Sequence, residues 1–194
     1  MSKFAIIGDI HSSKKDLKAV LQHVRKVDPQ AEVVGTGDIF ECTISKKKLP
    51  LPKPLPYEQV YKTKREFEQL LTFPTVYGNQ EERILLVGEG EDEWPKWMRR
   101  LPEVYPLSPD AAIIHGHQWE WGGTPWALQN CTMQARLTFY GHSHTSLLDR
   151  QPVQFGHPYD VSTGEHLINV GSVVDNREWV LYDEEAGHVL FMKA

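Results

Sequence analysis

Three short stretches of this 194-residue chain concentrate side chains that could bind a metal ion. They are GDIH (8–11), IHGH (114–117) and YGHSH (140–144), and they hold five of the nine histidines. Asp9 and His11 are two residues apart, and so are His142 and His144. In extended chain, alternate residues share a face, so both members of such a pair can reach one point. Asp38 follows a Gly-Thr-Gly run, and Asn79 sits in YGNQEE (77–82). Imidazole, carboxylate and one amide oxygen form a mixed N/O donor set. Such a set suits Mn, Fe, Co, Ni or Zn better than Mg or Ca alone. The ligands suffice for two ions, with one carboxylate shared.

A lone histidine after a strand is usually a satisfied core or surface residue, and GD or GN alone is commonly a turn. The weight lies in five such signals, each just after an apolar run. Phe4–Gly8 reads as a buried strand that ends at Asp9, and Glu32–Thr36 as one that ends at Asp38. Pro74–Tyr77, Ala111–Ile114 and Leu137–Tyr140 read as strands that lead into Asn79, His115 and His142. Ligands of open α/β sheets gather at the carboxyl ends of strands, so the five loops should converge on one crevice.

Between these strands, Leu17, Val20, Leu21, Val24 and Val27 form a helical stripe, with Ser12 or Ser13 as its cap. Tyr57–Leu71, Trp94–Leu101 and Pro125–Gln134 also read as helices, and Asn79, Gln80 and Glu81 as a turn. After Leu147 the pattern becomes a meander of strands. No repeat or linker interrupts it, which predicts one α/β domain over 1–194. Prolines 50, 52, 54 and 56 make the 46–56 stretch an extended loop. It follows the Asp38 loop, so its lysines could lie at a site mouth, although a charge run is more often a solvated face.

The net charge of −5 argues against a general nucleic-acid footprint. Two cysteines without a CxxC pair fit a reducing compartment, and no apolar segment is long enough to span a bilayer. Both point to a cytoplasmic protein.

In order, the motifs are Asp-x-His, Gly-Asp-x-x-Glu, Gly-Asn-x-Glu, His-Gly-His and Gly-His-x-His. This series resembles the calcineurin-like metallophosphoesterases, most of all their small bacterial and archaeal phosphodiesterase branch. NVGS (169–172) resembles that branch's Asn-Pro-Gly-Ser, with Val170 in place of proline. The resemblance implies a β-sandwich flanked by helices, in α/β/β/α layers. It also implies two divalent transition-metal ions, manganese foremost, with Fe, Ni, Co or Zn also compatible. One ion would take Asp9, His11, Asp38 and His144; the other would take Asp38, Asn79, His115 and His142, with Asp38 bridging. The implied substrate is a small phosphate ester, attacked by a hydroxide held between the ions. Asn79, Gln80, Glu81 and His117 are the candidates for catalytic work, with His117 behind the ligands.

Two departures stand out. Glu41 replaces an aspartate, a mild change, and Gln80 replaces the histidine that assists the leaving group. An amide on an accessible loop beside the crevice could donate a hydrogen bond but has no proton to give. The chemistry should then favour phosphodiesters or nucleotide-type esters with good leaving groups. The retromer subunit of the same fold also lacks that histidine and shares HGHQ followed by Trp-Gly. It raises the alternative of a scaffold that binds a protein partner, with Trp119 and Trp121 on the binding surface. Trp126 fits a core position better, and a homo-oligomer stays open.

Overall fold

Lys3–Ile7 is apolar from its second residue onward, and both its faces are buried. Phe4 and Ile6 point one way, Ala5 and Ile7 the other, as the strand period requires. A strand covered on both sides must lie inside a layered structure. In this computed structural model, which describes residues 2–120 and 135–194, that strand organises two layers. It pairs in parallel with Glu32–Gly35 and antiparallel with Glu178–Asp183. His188–Lys193 and then Pro158–Asp160 extend the same sheet to five strands.

A second sheet has six strands, in the order Val104–Ser108, Ala111–Ile114, Leu137–Tyr140, His166–Val170, Ser146–Leu148 and Gln151–Pro152. Phe4, Ile6, Val180 and Tyr182 of the first sheet meet Ile113, Phe139, Ile168 and Val170 of the second in one apolar cluster. This is face-to-face sheet packing. On the opposite face of the first sheet, helix Lys14–Val27 lays down Leu17, Val20 and Val24 against Ala5, Ile7 and Trp179. The fold is therefore mixed α/β with two packed sheets, the class implied by the motifs. The helix read over Pro125–Gln134 lies outside the described residues. Among the described residues no helix is long and apolar enough to cross a membrane.

Three local expectations are corrected. Pro74–Tyr77 is no strand: Thr75 makes a single parallel bridge to Gly35, and Tyr77 N–H already donates to Pro102 O at 2.8 Å. Tyr57–Leu71 is two short turns, Tyr57–Val60 and Arg65–Glu68. Thr43 explains the break, because its N–H takes Val60 O at 2.7 Å and Cys42 bridges to Tyr61 in extended conformation. Asn79, Gln80 and Glu81 are not a turn but the first residues of helix Asn79–Val87. The Lys/Pro stretch is irregular except for a 3-10 turn at Lys46–Lys48 and a pairing of Leu55–Pro56 with Gly88–Glu89.

Phe40 ties the Asp38 loop to this core. Its ring is fully buried and meets Tyr61, Phe67, Trp94 and Trp97 with centroids 5.2–6.3 Å apart. Phe40→Ala should lower stability by about 3–5 kcal/mol. Urea denaturation checks this, and a loss well under that range would mean the aromatic cluster closes over the gap.

Candidate metal centre

The site grows from five loop ends. Asp9 and His11 follow the first strand, and Asp38 follows Glu32–Gly35. His115 follows Ala111–Ile114, and His142 and His144 follow Leu137–Tyr140. Asn79 opens its helix. Five of these residues have positive φ: Asp9 (50°), His11 (48°), Asp38 (51°), His142 (70°) and His144 (58°). A non-glycine residue there costs about 1–3 kcal/mol and persists only where its surroundings hold it. The surroundings are visible. Ile10 and His11 N–H both donate to Asp38 O, at 2.9 and 3.0 Å, and Ser12 N–H donates to Ile39 O at 2.9 Å. Glycines make room: a Cβ on Gly78 would meet Asp38 Oδ1 at 2.3 Å, and one on Gly141 would meet Asp9 Oδ2 at 2.4 Å.

Two donor groups result, Asp9–His11–His144 and Asp38–His115–His142, each with ligand atoms within 4.8 Å of one another. Asp38 Oδ2 lies between them, 3.7 Å from His11 Nε2 and 3.3 Å from His115 Nε2. Asn79 Oδ1 is 3.0 Å from His115 Nε2, on the side of the second group. All seven residues proposed as ligands are thus brought together.

Several atoms fit a cation. Asp9 Oδ1 is fully buried without a hydrogen-bond partner and faces His144 Nε2 at 3.4 Å. His11 Nε2 and His144 Nε2 face each other at 3.2 Å. Their other nitrogens are taken, His11 Nδ1 by Glu41 and His144 Nδ1 by Asp175 Oδ2 at 2.5 Å. His115 Nδ1 donates to Thr36 O at 2.7 Å. Carboxylates and carbonyls behind the rings fix the tautomer that turns Nε2 lone pairs inward. The Nε2 lone pair of His115 then faces Asn79 Oδ1, a pair of acceptors that a cation could join.

The electrostatics agree. Burial pulls the His11 pKa down, but Asp9 and Glu41 outweigh it and raise it to about 10. His115 rises to about 9 against its burial, through Asp38 and Asp9. Burial pushes Asp9 up, yet His11 and His144 hold it below the usual carboxylate range. Without an ion, protons on the imidazoles balance the carboxylates.

The remaining sequence candidates divide. His117 is buried, with its ring 5.3 Å from that of His115. Glu81 does not face an imidazole. Its Oε2 accepts from Gly78 N and Asp38 N, both at 3.0 Å, and its Oε1 from Ile39 N at 2.9 Å and Phe40 N at 3.1 Å. Gln80 is not accessible: it is 8% exposed, and Oε1 accepts from Cys42 N at 3.0 Å and from Arg83 Nη2. Its own N–H donates to Asp38 Oδ1 at 2.8 Å. Asn169 of NVGS donates to Gly141 O at 3.2 Å and Ser143 Oγ at 2.7 Å, which steadies the His142–His144 loop. Trp121, Trp126 and the side chain of Trp119 lie outside the described residues. Sequence reading missed Asp175 and Arg83. Asp175 stands 31 residues from its partner with no spacing signal, and Arg83 was hidden by the turn assigned to its helix.

The model of the calcineurin-like phosphoesterase superfamily domain matches residues 2–182, and the chain belongs to that family. A metallophosphoesterase from Sphaerobacter thermophilus shares the fold at a TM-score of 0.68 and 20% identity, covering 99% of this chain and 88% of its own. A hypothetical protein from Pyrococcus horikoshii OT3 aligns at 0.64 and 12% identity, over 100% of this chain and 88% of its own. No curated protein matches the chain.

Two outcomes follow from this geometry. Asp38→Asn should weaken both ion sites and Asn79→Ala mainly one, read as ions per chain by mass spectrometry; equal loss of one ion in both would refute a shared Asp38. Stability carried by a histidine with a raised pKa is complete below its ordinary 6.5 and is lost as pH climbs through the raised value. Metal-free protein should therefore weaken steadily from pH 6.5 towards about 10, the His11 value. Added Mn²⁺ should restore it, because ligation releases those protons. Urea midpoints at neutral and alkaline pH, with and without Mn²⁺, measure both.

Proposed function

We propose that this phosphoesterase-family hydrolase uses two metal ions. Its substrates would be phosphodiesters or nucleotide-type esters with good leaving groups. The observation that carries the reading is Asp38 Oδ2 lying between His11 Nε2 and His115 Nε2. Two such donor groups joined by one carboxylate would hold a pair of divalent ions. Bound divalent ions, Mn²⁺ foremost, would supply Lewis-acid charge at the phosphoryl oxygens and lower the pKa of water.

The chain's own residues do the rest. Glu41, Asp175 and Thr36 O orient three imidazoles. A cleft of about 470 Å³ opens beside the second group, lined by Asn79, His117, Glu82, Arg83, Lys46, Leu49 and Leu86. The Lys/Pro stretch thus contributes two residues to the mouth of the site. Leu49 and the 67% exposed Leu86 give the cleft an apolar wall on which an aryl or nucleoside group could pack. A larger recess of about 830 Å³ begins at Ser12 and is lined by Lys14, Tyr61 and Phe67, but contains no candidate ligand. When water adds to phosphorus the ester oxygen leaves with negative charge, and Gln80 cannot protonate it. A positioned acid is worth about 10²–10⁴-fold, so its loss falls hardest on poor leaving groups. The reading includes a single domain and a cytoplasmic location, supported by the cysteine usage.

The test is metal analysis followed by a substrate panel with added Mn²⁺. Aryl phosphodiesters should turn over faster than alkyl monoesters. Equal rates would remove the leaving-group argument. No turnover of any ester by protein carrying two ions per chain would favour the scaffold.

A further inference from the structure

Arg83 is a buried cation for which the metal centre has no evident use. It is 9% exposed, and its Nε is fully buried without a hydrogen-bond partner. Nη2 donates to Gln80 Oε1, and among the described residues Arg83 forms no ion pair with a carboxylate. Buried charges are ordinarily paired, so an arginine with one neutral acceptor has donor capacity left over. Its position says for what. Arg83 lies four residues after Asn79 on one helix, which puts the two on the same face one turn apart. Helical side chains lean towards the N-terminus, so Arg83 leans towards Asn79. Both line the cleft with His117.

We propose that Arg83 is a catalytic residue whose guanidinium binds the phosphoryl oxygens beside Asn79 and meets the charge that Gln80 cannot neutralise with a proton. This rests on the phosphoesterase reading. A planar guanidinium presents paired N–H donors that match phosphate geometry. It stays charged at any working pH, so it stabilises negative charge without transferring a proton. Gln80 then has a positive role. Its amide oxygen is anchored by Cys42 N at 3.0 Å and in turn holds Nη2 of Arg83, which makes Gln80 a positioning residue. The substrate class narrows accordingly, to esters whose leaving oxygen departs as an anion next to a fixed cation.

The experiment compares wild-type protein with Arg83→Met, which keeps the bulk and removes the charge, and Arg83→Lys, which keeps the charge and removes the fork. Inorganic phosphate binding to Mn²⁺-loaded protein is read by calorimetry, and kcat and KM are read on an aryl phosphodiester. Ions per chain and thermal midpoint are the controls. Arg83→Met should keep its ions and lose at least about tenfold in phosphate affinity, the worth of a charge-assisted hydrogen bond. It should lose about 10²–10³-fold in kcat, as removal of one oxyanion donor does elsewhere. Added guanidinium ion should restore part of the rate in Arg83→Ala, which vacates the space, and none in wild type. Unchanged phosphate affinity, or a loss of rate that follows loss of ions, would overturn the proposal and leave Arg83 as a support for Gln80. If Arg83→Met fails to fold, Arg83→Lys decides: weaker phosphate binding with full ion content supports the proposal, and wild-type affinity overturns it. Should wild type hydrolyse nothing while phosphate affinity still falls in the variants, the hydrolase reading fails and the anion site stands.

Discussion

Four backbone N–H groups, from Gly78, Asp38, Ile39 and Phe40, converge on the carboxylate of Glu81. Burial and the charge of Asp38 push that carboxyl's pKa up, and the amide donors pull it back. The arrangement joins two loops that the sheet alone would leave independent. It holds Asp38 at positive φ and starts the helix that carries Asn79. The Gln80 N–H adds a bond to Asp38 Oδ1, which leaves Oδ2 to face His11 and His115. Truncating a buried carboxylate of this kind would strand four amides, each with a desolvation cost of about 1–3 kcal/mol. Asp38, which lies between the two donor groups, is thus placed by an acid that is not among the residues lining the cleft.

The same economy of rigid parts explains where the strain sits. The sandwich supplies strand ends whose directions are fixed by apolar packing on both faces. What remains is to turn five side chains inward within two to four residues of each strand end. Left-handed backbone does this at Asp9, His11, Asp38, His142 and His144, and glycine neighbours let the carboxylates approach the opposing loop. The loops then brace one another, as in the bonds from residues 10–12 to Asp38 and Ile39. A site of this kind is stiff before any ligand arrives, which suits chemistry that depends on fixed charge positions.

The candidate donor residues were legible because their types are unusual and each motif follows an apolar run, but the extended chain expected for the i, i+2 pairs is instead left-handed backbone at Asp9, His11, His142 and His144. The layers were legible for a similar reason, since Phe4–Ile7 and Ala111–Ile114 show the continuous burial of interior strands. What sequence missed depends on tertiary partners. Tyr57–Leu71 has helical spacing, yet Thr43 captures the carbonyl that would have continued it. GNQEE looks like a turn because Gly and Asn dominate the local signal, while the carboxylate that starts the helix is satisfied by residues 38–40. Asp175 and Thr36 O act only through the rings they orient, so nothing local marks them.

Gln80 shows how far a motif departure can mislead when read alone. On sequence it is an acid lost from an exposed loop. In the fold its amide is buried and its two contacts run to Cys42 and Arg83. A histidine at this position would give up the oxygen that accepts both, and would share a confined space with a guanidinium. Close cations disfavour an imidazolium, so such a ring would tend to lose the proton that made it useful. The glutamine and the arginine are therefore better understood as a pair. In the proposed role, one fixes the geometry and the other carries a permanent charge in the cleft beside Asn79, where the family motif has a proton donor.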